Sequence, residues 1–359
     1  MRYINKNLRI LYAVQATGNG HIARAMQLLP YLQQYGEVDV FLSGSNSNLD
    51  AALPVKYRSK GLSLFYGNRG GLDYLKMWKE LKISRIWKEA KDLPVEKYDL
   101  VINDFESITA IACKLKGVPS IGFGHQASFI SDNTPKPKKR DFIGEWVLKH
   151  YATATSYIGL HFDSYADFIF SPIIKDNIIA ATPTNEGHVT VYLSHYSDEV
   201  VVAALSKCKE IPFHVFSKKV KTTEQKGNIT LMPISNDGFN NSMISAAGVI
   251  TGAGFETPAE ALYLGKRLLC LPIRGQYEQL CNAAALERFN VKIIDKIGED
   301  FHLSVQKWLT GLYAVPLVLH QSTQEIVDMV IEKGLAQHTI HHQPEAGYYP
   351  HPHETLSLA

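Results

Sequence analysis

The sequence predicts an α/β protein of two domains, each a mostly parallel sheet covered by helices. Three observations carry this. The chain has 359 residues, 45% of them apolar, enough for roughly two domains that each bury a core. Short apolar runs of strand length alternate with helix-period segments, the signature of parallel sheets with crossover helices. The alternation also stops and restarts. Its first series comprises a strand over residues 8–15, a helix over 22–35, strands over 38–42 and 100–103, a helix over 108–116 and an extended run over 120–123. A pause follows at 132–140, where Pro135, Pro137 and a run of lysines imply an exposed loop. The second series has a strand over 189–193, a helix over 198–207, and short strands over 213–216, 229–231, 248–251 and 268–272. The join lies between about 170 and 186. The expected division is therefore 1–175, 176–335 and a tail, 336–359, whose His, Pro and Tyr content suggests a flexible segment.

The net charge of +2 and pI near 8.2 are mild and give no reason to expect nucleic acid as a partner. No apolar run approaches the ~20 residues of a membrane span, and residues 1–11 lack the apolar region of a signal peptide. Cys113, Cys208, Cys270 and Cys281 show no C-x-x-C or Cys/His spacing, so a zinc site is not expected and a reducing, cytoplasmic setting fits.

The first chemical signal is Thr17-Gly18-Asn19-Gly20-His21-Ile22-Ala23-Arg24-Ala25, between the first strand and the first helix. Gly18 and Gly20 let the backbone turn sharply and bring amides to a helix start, which suits an anion or a closely approaching substrate. Gly18-x-Gly20-x-x-Ala23 loosely matches a dinucleotide fingerprint. That fingerprint needs an acidic residue about 20 positions on, and the second strand ends in Phe41-Leu42-Ser43-Gly44 without one. His21 sits at the strand edge where parallel sheets bind ligands, and so is a candidate base. Asp104, just past the strand 100–103, can accept the His21 ring N–H and fix its tautomer. The alternatives are a helix-start histidine without a role and an Asp104 that caps the helix near Ser107.

The second signal is Thr251-Gly252-Ala253-Gly254-Phe255-Glu256-Thr257-Pro258-Ala259-Glu260, followed by Gly265-Lys266-Arg267, Leu271-Pro272 and Glu278-Gln279-Leu280-Cys281-Asn282-Ala283. Gly252 and Gly254 make a tight loop, with Thr257 as the expected N-cap and Pro258 at the first helical position. Free amides there would hold a diphosphate. Thr257-x-x-Glu260 also spells a capping box, in which Glu260 would merely bond back to the helix start.

The order of Gly254, Glu260, Gly265, Pro272, Gln279 and Asn282 resembles the donor-binding region of GT-B glycosyltransferases. It is similar to that of the lipid-linked GlcNAc transferases of peptidoglycan synthesis and of the UDP-glycosyltransferase superfamily. Gly20-His21 and Asp104 resemble the Gly-His and supporting Asp of the same enzymes. The resemblance implies two Rossmann-like domains whose parallel sheets face each other across a cleft. It further implies that Glu260 binds the donor ribose and that Glu278 and Gln279 bind the sugar, with Asn282 beside them. Ser194 and His125 join the substrate-binding set. Ser194 stands where the peptidoglycan enzymes carry a second glycine loop that Leu193-Ser194-His195-Tyr196-Ser197 lacks.

The implied function is inverting transfer of a sugar from a nucleotide-sugar, UDP-linked by resemblance, with His21 as base, Asp104 as its support and no cofactor. No Asp-x-Asp occurs in the chain, which speaks against a metal clamp on the diphosphate. An epimerase or hydrolase on the same scaffold, a nucleotide-sugar sensor and a dehydrogenase remain open. The acceptor, whether small molecule, glycan or lipid, is not legible. Residues 74–93 mix Lys and Arg with Met77, Trp78, Ile83, Ile86 and Trp87, as does a helix lying on an anionic membrane or an ordinary half-buried one. The basic loop 135–140 suits lipid headgroups or solvent, so peripheral membrane contact is a second expectation.

Overall fold

The computed structural model describes residues 7–16, 18–44, 52–61 and 83–341. The first sheet contains β1 (Leu8–Gln15), β2 (Gly36–Ser43), β3 (Val55–Ser59), β4 (Leu100–Asp104), β5 (Ile121–Gly124), β6 (Ser156–Leu160) and β7 (Ile169–Phe170). Its order is β3-β2-β1-β4-β5-β6-β7, with every pairing parallel. β1 is central and buried at seven of eight positions, which explains its unbroken apolar run in place of alternation. Strand order reverses between β1 and β4, whose register sets Val14 against Asp104. Parallel sheets bind ligands at such a switch point.

The second sheet contains β8 (Val189–Tyr192), β9 (Phe213–Ser217), β10 (Glu224–Lys226), β11 (Ile229–Pro233), β12 (Gly248–Thr251), β13 (Arg267–Cys270) and β14 (Lys292–Ile293). Its order is β10-β11-β9-β8-β12-β13-β14. Only the three-residue edge strand β10 runs antiparallel to its neighbour. The switch point here falls between β8 and β12, so residues after Tyr192 and after Thr251 share one crevice.

The two-sheet α/β reading holds, and the differences are informative. The segment between the two series holds a helix, Phe142–His150, and strands β6 and β7. The helix Thr323–His341 follows the second sheet in sequence but packs on the first. Val327 and Val330 enter the same core as Leu28, Leu100 and Ile102, and Lys333 donates to the Tyr157 carbonyl at 3.1 Å. Its residues up to 335, read above as part of the second domain, thus return to the first. Helical periodicity tells which face is apolar but not which sheet it meets. The helix also carries six tail residues; 342–359 lie outside the described residues.

Of the amphipathic segment, the helix Ile83–Asp92 is described, with Ile86 and Ala90 buried and Ile83 and Trp87 exposed. Residues 74–82 lie outside the described residues. In the basic loop Lys136 bonds Asp132 and Arg140 pairs with Glu145. All four cysteines are buried and free. Among the described residues no helix is long and apolar enough to cross a membrane.

Candidate active site

The site forms where the two switch points face each other. Helix Asn19–Leu32 begins at Gly18, whose extended backbone ends the β1 loop. It therefore starts three residues earlier than the apolar pattern indicates and takes His21 into its first turn. Asp104 closes β4, and its direction is set by an unusual turn. Phe105 holds a left-handed φ of 56°, a conformation costing a bulky residue on the order of 1–3 kcal/mol. The Asn103 amide compensates by clamping both backbone groups of Glu106: it donates to the carbonyl at 2.8 Å and accepts from the N–H at 2.7 Å. Glu106 then caps helix Ser107–Lys116 through the amides of Ile108 and Thr109. Asp104 is not the cap and stays free for the site.

His21 Nδ1 lies 2.8 Å from Asp104 Oδ1, and the Arg24 guanidinium approaches the same nitrogen at 3.0 Å. Two acceptors do not sit 2.8 Å apart without a proton between them, so Nδ1 carries the hydrogen and donates to Asp104. Nε2 is then the free base nitrogen, accepting from Gln126 Nε2 at 3.3 Å. Arg24, one helical turn after His21, donates to Asp104 from Nε at 3.1 Å and from Nη2 at 2.8 Å and 2.9 Å. Burial pushes the Asp104 carboxyl up, but Arg24 and His21 outweigh it and bring its pKa down to about 2. Burial alone would weaken the charge on Arg24; Asp104 and Glu256 hold it firmly protonated. Gly124 makes room for the cluster. With φ +105°, its absent Cβ would lie 2.9 Å from Asp104 Oδ1 and 3.1 Å from Arg24 Nη2.

Side chains of the second sheet complete the arrangement. Glu256 pairs with Arg24 across the cleft, and Glu278 accepts from Gln126 at 3.0 Å. Gln126 thus connects the free nitrogen of His21 to the predicted sugar-binding residue. Lys175 reaches Glu260 at 3.1 Å, Tyr277 donates to Glu145 at 2.6 Å, and Phe255 stacks on His125 with centroids 4.0 Å apart.

The donor loop departs from its sequence reading in one respect. Its helix runs Glu256–Tyr263 with Phe255 at the N-cap and no side-chain cap, so Thr257 and Pro258 are the second and third helical residues. Proline is tolerated anywhere in a first turn, whose amides lack partners, and so does not mark the start uniquely. Because the helix begins early, Glu260 falls beyond the position that closes a capping box. Its carboxylate is buried and engages Lys175; burial raises its pKa while Lys175 opposes this. Gly254 and Gly18 border open space, whereas Gly252 lies near Gln279 Oε1.

The remaining predicted residues divide. Ser194 is exposed at the end of β8. Gln279 accepts from the Ile273 amide at 3.0 Å and donates to Gln276 at 2.8 Å, bracing the loop before its own helix. His125 and Asn282 are fully buried and 2.7 Å apart; Asn282 also donates to the Ala253 carbonyl at 3.1 Å. These two residues, read above as substrate-binding, spend their polar atoms inside the protein and fix the glycine loop to the first domain. Arg24, Gln126, Lys175 and Glu256 were not singled out by the sequence. Only Arg24 left a trace, three positions after His21 on one helix face.

A family model described as glycosyl transferase family 1 matches residues 8–316. No curated protein matches the chain in sequence. Among solved structures, the Arabidopsis thaliana UGT89C1 complexed with UDP-L-rhamnose is similar at 12% identity and a TM-score of 0.60, covering 92% of this chain and 100% of that one. The spinosyn forosaminyltransferase SpnP follows at 14% and 0.54, covering 91% and 95%. The MurG of Acinetobacter baumannii is 15% identical with a TM-score of 0.53, covering 93% and 98%. At these identities the likeness shows the shared GT-B fold.

Proposed function

The chain belongs to glycosyl transferase family 1, and from that premise we propose that it transfers a sugar, with inversion and without a metal, from a UDP-linked donor to a hydroxyl acceptor. The observation that carries this reading is the position of His21. Its base nitrogen faces the cleft from one sheet, while the glycine loop and Glu278 face it from the other. An acceptor hydroxyl that takes the place of Gln126 gives its proton to Nε2, and Asp104 stabilises the resulting imidazolium. The acceptor oxygen bonds the anomeric carbon as the bond to the diphosphate breaks on the far side. Attack and departure on opposite walls invert the configuration. The diphosphate charge falls at the start of helix Glu256–Tyr263, whose N-cap residue supplies no side-chain bond to the first-turn amides.

Support for a UDP-linked donor comes from the fold shared with an enzyme complexed with UDP-L-rhamnose and from the buried Glu260 one turn into the donor helix. UDP is expected to bind in excess EDTA, and Glu260→Gln to weaken that binding by about 1.5–3 kcal/mol, the scale of a hydrogen bond to a charged group. Calorimetry checks both. Loss of wild-type binding in EDTA would remove the metal-free part, and equal affinity of the variant would remove the ribose contact.

For the acceptor side we favour an anionic membrane surface over open solvent. Helix Phe142–His150 exposes Phe142 at 77%, Ile143 at 52% and Trp146 at 61%, next to exposed Lys138 and Lys139. Apolar anchors framed by cations suit an interfacial position. Vesicles rich in anionic lipid should sediment the protein, and neutral vesicles should not. Wild-type sedimentation that Phe142→Ser with Trp146→Ser leaves unchanged would contradict this placement.

A further inference from the structure

We propose that Arg24 is the counter-cation of the departing diphosphate and that Glu256 holds the diphosphate's place until a donor arrives. The inference rests on the donor reading above and names a residue that reading did not use. Arg24 is almost wholly buried. Its Nε and Nη2 edge is committed to Asp104, which fixes the guanidinium plane. Nη1 is left pointing across the cleft, and its partner is Glu256.

Glu256 is the first residue of the helix that follows the donor glycine loop. Its carboxylate also presses on the first domain: Oε2 lies 2.5 Å from where a Cβ on Gly20 would be. A side chain at position 20 would evict it, which gives that glycine a second purpose besides the turn. A carboxylate of the protein itself thus lies between Arg24 and the starts of two helices facing each other across the cleft. A diphosphate at the same helix start would meet Glu256 as a like charge at short range, and the two cannot share the place. Glu256 is one-fifth exposed and has water to turn to; Arg24 is held by Asp104 and does not. On donor binding Nη1 therefore passes from Glu256 to a diphosphate oxygen.

In the transfer itself the anomeric C–O bond breaks with its electron pair going to that oxygen. The acceptor proton goes to His21, and Arg24 supplies charge but no proton, since guanidinium does not deprotonate in proteins. A cation built into the first domain thereby takes the part a metal would otherwise play.

The test uses calorimetry in EDTA with inorganic pyrophosphate, UDP and uridine, on wild type and Glu256→Gln, with melting temperature as a control. Removing the competing charge should tighten pyrophosphate and UDP about tenfold and leave uridine unchanged. A Glu256 that serves only to latch the domains predicts weaker or equal binding, and either result overturns the proposal, as does wild type and variant both failing to bind pyrophosphate. Tighter pyrophosphate with no nucleotide binding at all would remove the UDP reading and leave Arg24 in its role. Arg24→Lys, which keeps the charge but loses Nη1, should weaken pyrophosphate about tenfold; unchanged affinity in a folded Arg24→Lys protein also overturns it.

Discussion

His21→Ala is expected to lower turnover by about 100- to 10,000-fold, the usual contribution of a positioned base, while UDP binds nearly as before. The split follows from the geometry. Nε2 faces the place of the acceptor hydroxyl, whereas the ribose and diphosphate contacts assigned above belong to the second sheet, apart from Arg24. Arg24 keeps both carboxylate partners when the imidazole is removed, so its charge is not stranded. A histidine that served only packing would give the opposite pattern: a lower melting temperature and near-normal transfer in the folded fraction. Single-turnover transfer measured beside UDP affinity and thermal unfolding separates the two. A stable and active His21→Ala protein would end the proposed mechanism.

What was legible in the sequence is what depends on residues near one another along the chain. The apolar run of β1 appears with its true bounds because a central parallel strand is buried on both faces, so that from Ile10 to Val14 no charged residue interrupts it. Strand β3 (Val55–Ser59) went unread because it lies at the sheet edge, half-buried and studded with Lys56 and Arg58. The glycine loops and the Gly-His pair were legible because a turn at a strand end demands particular residue types at fixed spacing. Partners across the cleft were not. Nothing in the spacing of Arg24 and Glu256, 232 residues apart, or of Gln126 and Glu278 indicates contact. The capping-box pattern at Thr257 and Glu260 shows the reverse error. A local motif fitted, but the helix began two residues earlier than its register requires, and a long-range ion pair with Lys175 claimed the carboxylate.

Asp104→Asn should reduce turnover by about 30- to 1,000-fold, less than His21→Ala, and the double variant should lose little more than His21→Ala alone, because the pair acts as a unit. The smaller loss follows from Arg24. Asp104 divides its charge between a permanent cation and His21, so the imidazolium formed in the reaction gains less from it than from a dedicated carboxylate. Asparagine keeps the volume but has one oxygen where two donors, Arg24 and His21, need acceptors, and its amide hydrogens repel whichever donor they face. The same substitution reports on stability through pH. The folded pKa of Asp104 lies at about 2, below the usual 3.8, so its ionised form is favoured by folding. That contribution, on the order of 2 kcal/mol, is fully present above about pH 4 and is lost as pH falls towards 2. Asp104→Asn should therefore be the less stable protein at pH 7, with the difference from wild type shrinking in acid. Urea unfolding at pH 7 and pH 3 measures it. A difference that stays constant between the two would show that Asp104 does not hold its charge against Arg24 and His21, and the assigned His21 tautomer would lose its basis.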